Sequence, residues 1–207
     1  MMFSNYIKVS AAALLGTVLL AGTASAKIPT GTTVSDMQVT DSNGTVHNLS
    51  DFAGKNVVLE WTNEGCPYVK KHYKSGNMQA LQKEATADGA IWLSVISSAP
   101  GKQGYKTGDE ANAHVLETGA APTAVILDAA GTKGRTFSAK TTPHMYVIDA
   151  SQTLVYQGAI DDDRSADPSK AKTANNFVRA ALDAIEAGTP IATAETTPYG
   201  CSVKYGS

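Results

Sequence analysis

Two residues in this chain are suited to covalent chemistry, the cysteines Cys66 and Cys201. Cys66 lies in Gly65-Cys66-Pro67-Tyr68-Val69, between an apolar run that reads as a strand and a basic stretch that reads as a helix. Pro67 fits a first helical turn, because proline lacks only an N–H that the turn leaves unpaired anyway. Cys66 is therefore expected at a helix N-terminus, whose free N–H groups and partial positive charge lower a thiol pKa from about 8.5 to roughly 3.5–7.5. Lys70 and Lys71, one turn on, add cationic charge if they face the sulfur. The plainer reading is a buried structural cysteine. Val69 stands where a local C-x-x-C dithiol would carry its second sulfur. An attack by Cys66 on a disulfide would thus leave a mixed disulfide, and an attack on a peroxide a sulfenic acid; each needs a thiol from elsewhere. Cys201 is a candidate resolving thiol if the tail folds back or reaches a neighbouring subunit. It also reads as a static disulfide partner, or as an unrelated free thiol.

Other groups offer supporting chemistry. Glu60 ends an apolar strand six residues before Cys66, where it is either a solvated charge or a buried proton acceptor with a raised pKa. His72 and His144 would form a Cys/His cluster if the fold brought them to Cys66, but no close pair has metal-ligand spacing. Asp161-Asp162-Asp163 reads as a solvated turn, since the spaced ligands and glycine of a calcium loop are missing. Trp61, Trp92 and Tyr68 read as packing residues, with Tyr68 also able to border a substrate groove. No metal and no cofactor is expected.

The elements that must position these groups follow from periodicity. Val34 to Thr40 and Thr45 to Leu49 flank Asp41-Ser42-Asn43-Gly44, an opening β-hairpin with an Asn-Gly turn. Ser50 to Gly54 is a short connection into Val57-Val58-Leu59-Glu60-Trp61, a strand buried on both faces. The helix after Cys66 is expected to break at Ser75-Gly76-Asn77 and resume through Met78, Leu81 and Ala85. Ile91 to Ile96 is a second core strand, and Ser97 to Lys106 an irregular loop able to border the site. Thr107 and Glu110 form a capping box for a helix through Thr118. Strands over Thr123 to Leu127, Met145 to Ile148 and Thr153 to Gln157 follow, with Thr132 to Lys140 unassigned. Phe177, Val178, Ala181, Leu182 and Ile185 give the last helix one apolar face, and Gly188 closes it.

The 207 residues begin with a leader pattern: Lys8, the apolar run Val9 to Leu20, and Ala24-Ser25-Ala26 as a cleavage site. Thr23 replaces the cysteine that a lipoprotein signal would need after Leu20-Ala21-Gly22, so soluble export is expected. The apolar run is too short to favour a permanent span. The remaining 181 residues suit one domain that needs no disulfide staple. A net charge of −2 supplies no basic footprint for nucleic acid or an anionic membrane.

Taken together, Glu60-Trp61, Cys66-Pro67, Thr142-Pro143 and a final amphipathic helix resemble the thioredoxin fold. In that family a cis-proline loop lies against the helix-capping cysteine, and Thr141 to Asp149 is similar to that loop and its strand. The resemblance implies that the Thr142 backbone is left free to pair with an extended substrate; an ordinary turn before a strand is the alternative. With Tyr156-Gln157-Gly158-Ala159-Ile160-Asp161 and the tail Pro198-Tyr199-Gly200-Cys201-Ser202-Val203-Lys204 added, nearly the whole chain resembles exported bacterial redoxin-domain proteins of the peroxiredoxin-like kind. The peroxidase pattern P-x-x-x-[TS]-x-x-C is not met, because Leu59 and Asn63 occupy its proline and hydroxyl positions. Where that family places its arginine, this chain has Pro143 and His144, with Arg135 the nearest upstream candidate.

These readings imply an α/β thioredoxin-like sandwich with a mixed central sheet, an N-terminal β-hairpin and a C-terminal tail. Residues 1–26 would be a signal peptide, 27–188 the redoxin domain and 189–207 an extension. The expected function is exported thiol–disulfide oxidoreduction with Cys66 as nucleophile. A thiol peroxidase, or a non-catalytic metal- or protein-binding module, are the alternatives. Cys201 and Glu60 would assist, while Pro67, Tyr68, Thr142 and Pro143 would line the substrate site. The expected partners are a disulfide-containing protein or a small thiol or peroxide, and an external reductant.

Overall fold

The computed structural model describes residues 1–2, 27–34 and 36–207, so the leader expected over residues 1–26 lies almost wholly outside the described residues. The chain opens with a small antiparallel pair, β1 (Gln38–Thr40) and β2 (Val46–Asn48), joined through a turn in which Gly44 adopts φ +80°. A 3-10 turn over Leu49–Phe52 leads to β3 (Val57–Trp61). Two helices follow, α1 (Pro67–Lys74) and α2 (Asn77–Ala87), separated at Gly76, whose φ of +77° ends the first. Next come β4 (Ile91–Ile96), α3 (Gly108–Thr118), β5 (Ala124–Leu127) and α4 (Thr132–Thr136). The chain continues through β6 (Thr141–Thr142), β7 (His144–Ile148), β8 (Leu154–Gly158), α5 (Phe177–Glu186) and β9 (Cys201–Ser202).

The central sheet has the order β5-β4-β3-β7-β8. Its first three strands are parallel and the last two antiparallel, so the sheet is mixed as expected. Strand alternation divides the interior into two cores. Val57, Leu59 and Trp61 of β3 join Leu93, Val95, Tyr146 and Ile148 on one face. Val58 joins Trp92, Met145 and Val147 on the other, under Met78 and Leu81 of α2 and Val178 and Ala181 of α5. Glu60 points to this second face, because it is two residues on from Val58.

The capping box forms as read, with Thr107 accepting from the Glu110 N–H and Glu110 accepting from the Thr107 N–H. Two expectations change. The unassigned stretch after Gly131 contains the one-turn helix α4, too short to show a period. The acidic triplet is not simply a solvated turn: Asp161 is buried and meets the ammonium of Lys71. Among the described residues no helix is long and apolar enough to cross a membrane.

Burial of β7 has a consequence for acid stability. His144 is held far below its ordinary value, at about 3, by burial first and then by Lys27 and Lys140. Below about pH 6.5 the unfolded chain therefore takes up a proton that the folded ring refuses, and folding stability is lost as the pH falls toward 3. Urea unfolding of the wild type and His144→Gln, compared near neutral pH and at about pH 5, should show about 2 kcal/mol less acid loss in the variant. The comparison cancels Glu60 and Asp161, whose raised pKa values act in the opposite direction. Equal losses in the two proteins would remove His144 from this role.

Candidate active site

Cys66 caps α1 from outside its first turn: its backbone is extended, its carbonyl accepts the Lys70 N–H at 2.9 Å, and Pro67 occupies the first helical position. The loop before it is fixed by Asn63, whose side chain accepts from the Gly65 N–H and donates to the Gln103 carbonyl. The irregular segment after β4 thus packs on the cysteine loop, and Lys106 pairs with Glu64 at 2.8 Å. From the opposite side comes the loop of Thr142-Pro143, whose peptide bond is cis.

The Thr142 backbone is not free. Strand β9 pairs antiparallel with β6, setting Cys201 opposite Thr142 and Ser202 opposite Thr141. Gly200 makes this approach, with φ +141° and no room for a side chain, since an added Cβ would strike the Thr142 carbonyl oxygen. The edge expected to receive an extended substrate is occupied by the chain's own tail. Cys66 is consequently 0% exposed, whereas Cys201 is half-buried, and both are free thiols.

Strand β9 brings Cys201 to the neighbourhood of Cys66, because its pairing partner Thr142 is the residue whose carbonyl the Cys66 thiol bonds to at 3.0 Å. Burial, the largest single influence, pushes the Cys66 pKa up. It is outweighed by hydrogen bonds from the Cys201 thiol, the Val69 and Cys201 N–H groups and Thr142, which together bring it below its ordinary value. Cys201 moves the other way, to about 11, through burial and then through Cys66 itself. The two thiols are thus shifted in opposite directions, and Cys66 is the more readily ionised of the two. Thr142 completes the arrangement. When Cys66 is protonated its Sγ donates to the Thr142 carbonyl at 3.0 Å, and the buried Thr142 hydroxyl has no partner. Ionisation turns the sulfur into an acceptor for that orphaned hydroxyl.

Glu60 is fully buried, and burial raises its pKa despite four donors: Trp92, Tyr73, Ser94 and Gln82. It bonds to neither cysteine. Pro67 is exposed and Tyr68 half-buried at the rim, Tyr68 lying edge-on to Tyr199 at 5.8 Å, while Thr142 and Pro143 are buried beneath the tail. The histidines do not converge on the thiols: His72 bonds to Tyr199 and Asn77, and His144 to Tyr146 and the Lys140 N–H. Among the described residues no group of three His, Cys, Asp or Glu side chains could hold a metal. Lys71 is 0% exposed and directs its charge away from Cys66, donating to Asp161, to the Asp163 carbonyl and to Tyr199.

Sequence reasoning missed Tyr199, the anchor that Lys71, His72 and Asp161 hold two residues before Cys201. Its signal was that of one of two aromatics, with Tyr205, in a tail of mostly small and polar residues. Tyr205 is a second anchor, donating to the Ala139 carbonyl and filling space that only Gly131 and Gly134 leave open.

Two variants check this geometry. Thr142→Val in a Cys201→Ser background should raise the Cys66 pKa by about 0.7, the worth of one hydrogen bond, as read from ultraviolet thiolate absorbance. Gly200→Ala should lift the tail, at a cost of about 1–3 kcal/mol, and speed alkylation of Cys66 by iodoacetamide about tenfold or more. An unchanged rate would mean that the tail does not cover the sulfur.

Comparison with known proteins agrees with this architecture. A hypothetical protein from Sinorhizobium meliloti superposes with a TM-score of 0.73 at 22% identity, over 88% of this chain and 98% of its own. A protein from Chlorobium tepidum assigned as the thiol:disulfide interchange protein DsbE gives 0.51 at 24% identity, over 63% and 85%. The peroxidoxin BcpB from Mycobacterium tuberculosis gives 0.51 at 19% identity, over 76% and 96%. At these identities the likeness is one of fold, and that fold is thioredoxin-like. No curated protein matches the chain. The family model for Redoxin matches residues 23–174, which include the Cys66 loop, the Thr142-Pro143 turn and the whole central sheet, and the chain belongs to the Redoxin family.

Proposed function

We propose that this chain is an exported thiol–disulfide oxidoreductase whose working pair is Cys66 and Cys201, with Cys66 the nucleophile. The observation that carries the reading is the convergence of two free thiols on Thr142, with Cys201 opposite it in the β6–β9 pair and Cys66 bonded to its carbonyl, at a helix N-terminus beside a cis-proline turn. In the net reaction a substrate disulfide takes two electrons and two protons and leaves as two thiols, while the pair closes to a Cys66–Cys201 disulfide. An external dithiol or two monothiols reverse this. The closing step needs a thiolate attacking sulfur, and Cys66 is the sulfur stabilised as one. Glu60 is kept as the proton acceptor of the cycle on its burial and raised pKa alone, since its oxygens bond to Tyr73, Gln82, Trp92 and Ser94 and to neither cysteine. Pro67 and Tyr68 form the accessible rim, and Thr142 and Pro143 act through the tail they carry. Export rests on the leader pattern of residues 1–26.

A peroxidase would need a donor that polarises the peroxide oxygens at the thiolate. The chain's three arginines are engaged elsewhere: Arg135 with the Ala130 and Gly206 carbonyls, Arg164 with the Thr197 carbonyl, and Arg179 with Glu84. Disulfide exchange asks for no such group.

Reduced protein should convert glutathione disulfide to two thiols while forming one intramolecular disulfide. Cys66→Ser or Cys201→Ser should cut turnover about 100-fold or more, because intramolecular closure gives way to collision with dilute thiols. Faster oxidation by hydrogen peroxide than by glutathione disulfide, with a sulfenic acid at Cys66, would establish the peroxidase instead. Thiols inert to both reagents would leave a binding module.

A further inference from the structure

We propose that Cys201 is the sulfur that exchanges with thiols and disulfides from outside, and that Cys66 is the internal sulfur that opens and closes the bond. This rests on the redox-pair reading above and reverses the usual expectation that the helix-capping cysteine meets the substrate.

Access is the first argument. Cys66 is 0% exposed, roofed by the β6–β9 pair and by the loop carrying Pro143, while Cys201 is half-buried. The roof is anchored on both sides of Cys201. Before it, Tyr199 sits among Lys71, His72 and Asp161, with the Lys71 ammonium 5.4 Å from its ring. After it, the Val203 N–H donates to the Lys140 carbonyl at 3.1 Å and the Ala99 N–H to the Lys204 carbonyl at 2.9 Å. Tyr205 is then gripped by the Ala139 carbonyl and by the Arg135 guanidinium, 4.7 Å from its ring. Cysteine exchange that required lifting the tail would break both anchors in every cycle. Exchange at Cys201 requires neither.

Leaving-group chemistry is the second argument. A thiolate attacking a disulfide prefers the sulfur whose partner departs as the more stable thiolate. Attack at Cys201 expels Cys66, which leaves at the N-terminus of α1, against Thr142 with its unpartnered buried hydroxyl. Attack at Cys66 would expel Cys201, which lies in the two-residue strand β9 and not at a helix N-terminus. Access and leaving ability therefore select the same sulfur.

An external thiolate bonds to Cys201 Sγ, the Sγ–Sγ bond breaks, and its electron pair goes to Cys66. A second external thiolate attacks the outer sulfur of the mixed disulfide, forming the external disulfide and releasing Cys201, which takes up a proton. Substrate reduction is the reverse: Cys201 gives up its proton and joins one substrate sulfur, expelling the other, and the Cys66 thiolate then attacks Cys201 Sγ to release the second. Cys66 remains the nucleophile of the closing step, directed at its own partner.

The oxidised full-length protein, mixed briefly with reduced glutathione, quenched in acid, alkylated and mapped by mass spectrometry, should carry glutathione on Cys201 and the alkyl group on Cys66. The reverse pattern should be at least about tenfold rarer. Because a freed Cys66 can re-attack, single-cysteine proteins are treated with glutathione disulfide in parallel. Folded Cys66→Ser should be glutathionylated at Cys201, while folded Cys201→Ser should stay unmodified until urea exposes Cys66. Glutathione on Cys66 in the quenched wild type, or modification of folded Cys201→Ser as fast as in urea, overturns the proposal and leaves the redox pair standing. Failure of the wild type to form a Cys66–Cys201 disulfide overturns both.

Discussion

The pairing of Cys201 and Ser202 with Thr142 and Thr141 is the contact on which the site depends. Two residues of ladder cannot hold a tail by themselves, since even a complete two-stranded hairpin is marginal in water. The pairing persists because the tail is fastened upstream and downstream, and each fastening makes its own demand on the body of the protein. Tyr199 requires a polar socket built from α1 and the segment after β8. Tyr205 requires two glycines, Gly131 and Gly134, where any side chain would meet its ring or hydroxyl. Gly200 is required at the crossing itself. A segment with little apolar surface is thereby held in one register.

The polar socket is costly in isolation. Lys71 is fully enclosed, and a buried ammonium is tolerated only when charge and hydrogen bonds are both supplied. Asp161 supplies the charge at 3.0 Å, the Asp163 carbonyl and the Tyr199 hydroxyl fill the remaining donors, and His72 stays neutral, its pKa pressed to about 3 by burial and then by Lys71. A well-packed apolar substitute could be as stable, but it would not distinguish one tail register from another. The socket accepts a phenol at one position, and this sets where Cys201 falls two residues later.

Much of the scaffold was legible because its signals are local. Val57 to Trp61 has the uninterrupted apolar character of a strand buried on both faces, Thr107 and Glu110 sit at capping-box spacing, and Pro67 after Cys66 marks a helix start. The site was legible only in part, and the losses share a cause. Asp161, Asp162 and Asp163 look alike in sequence, yet only Asp161 is buried, because its partner Lys71 lies ninety residues earlier. Lys70 and Lys71 are adjacent, and the helical turn alone sends the first to solvent and the second inward. The meeting of Cys201 with Cys66 joins residues from the two ends of the domain through side-chain sockets that have no periodicity to read. The stretch after Gly131 escaped assignment because a single helical turn cannot express a helical repeat.

Val69 takes on a different meaning in this light. In a C-x-x-C site both sulfurs ride on one helical turn, so their separation is set by the helix and survives any movement of the rest of the chain. Here position 69 is an apolar residue, 2% exposed, and the second sulfur arrives on a strand from the opposite end of the domain. The effective concentration of one thiol at the other is therefore a property of the tail's anchorage. By linkage, whatever holds the tail would also favour the proposed Cys66–Cys201 disulfide, and such a disulfide would in turn hold the tail. For the redox pair proposed above, the balance would be written in Tyr199, Tyr205 and the residues that grip them, at a distance from either sulfur.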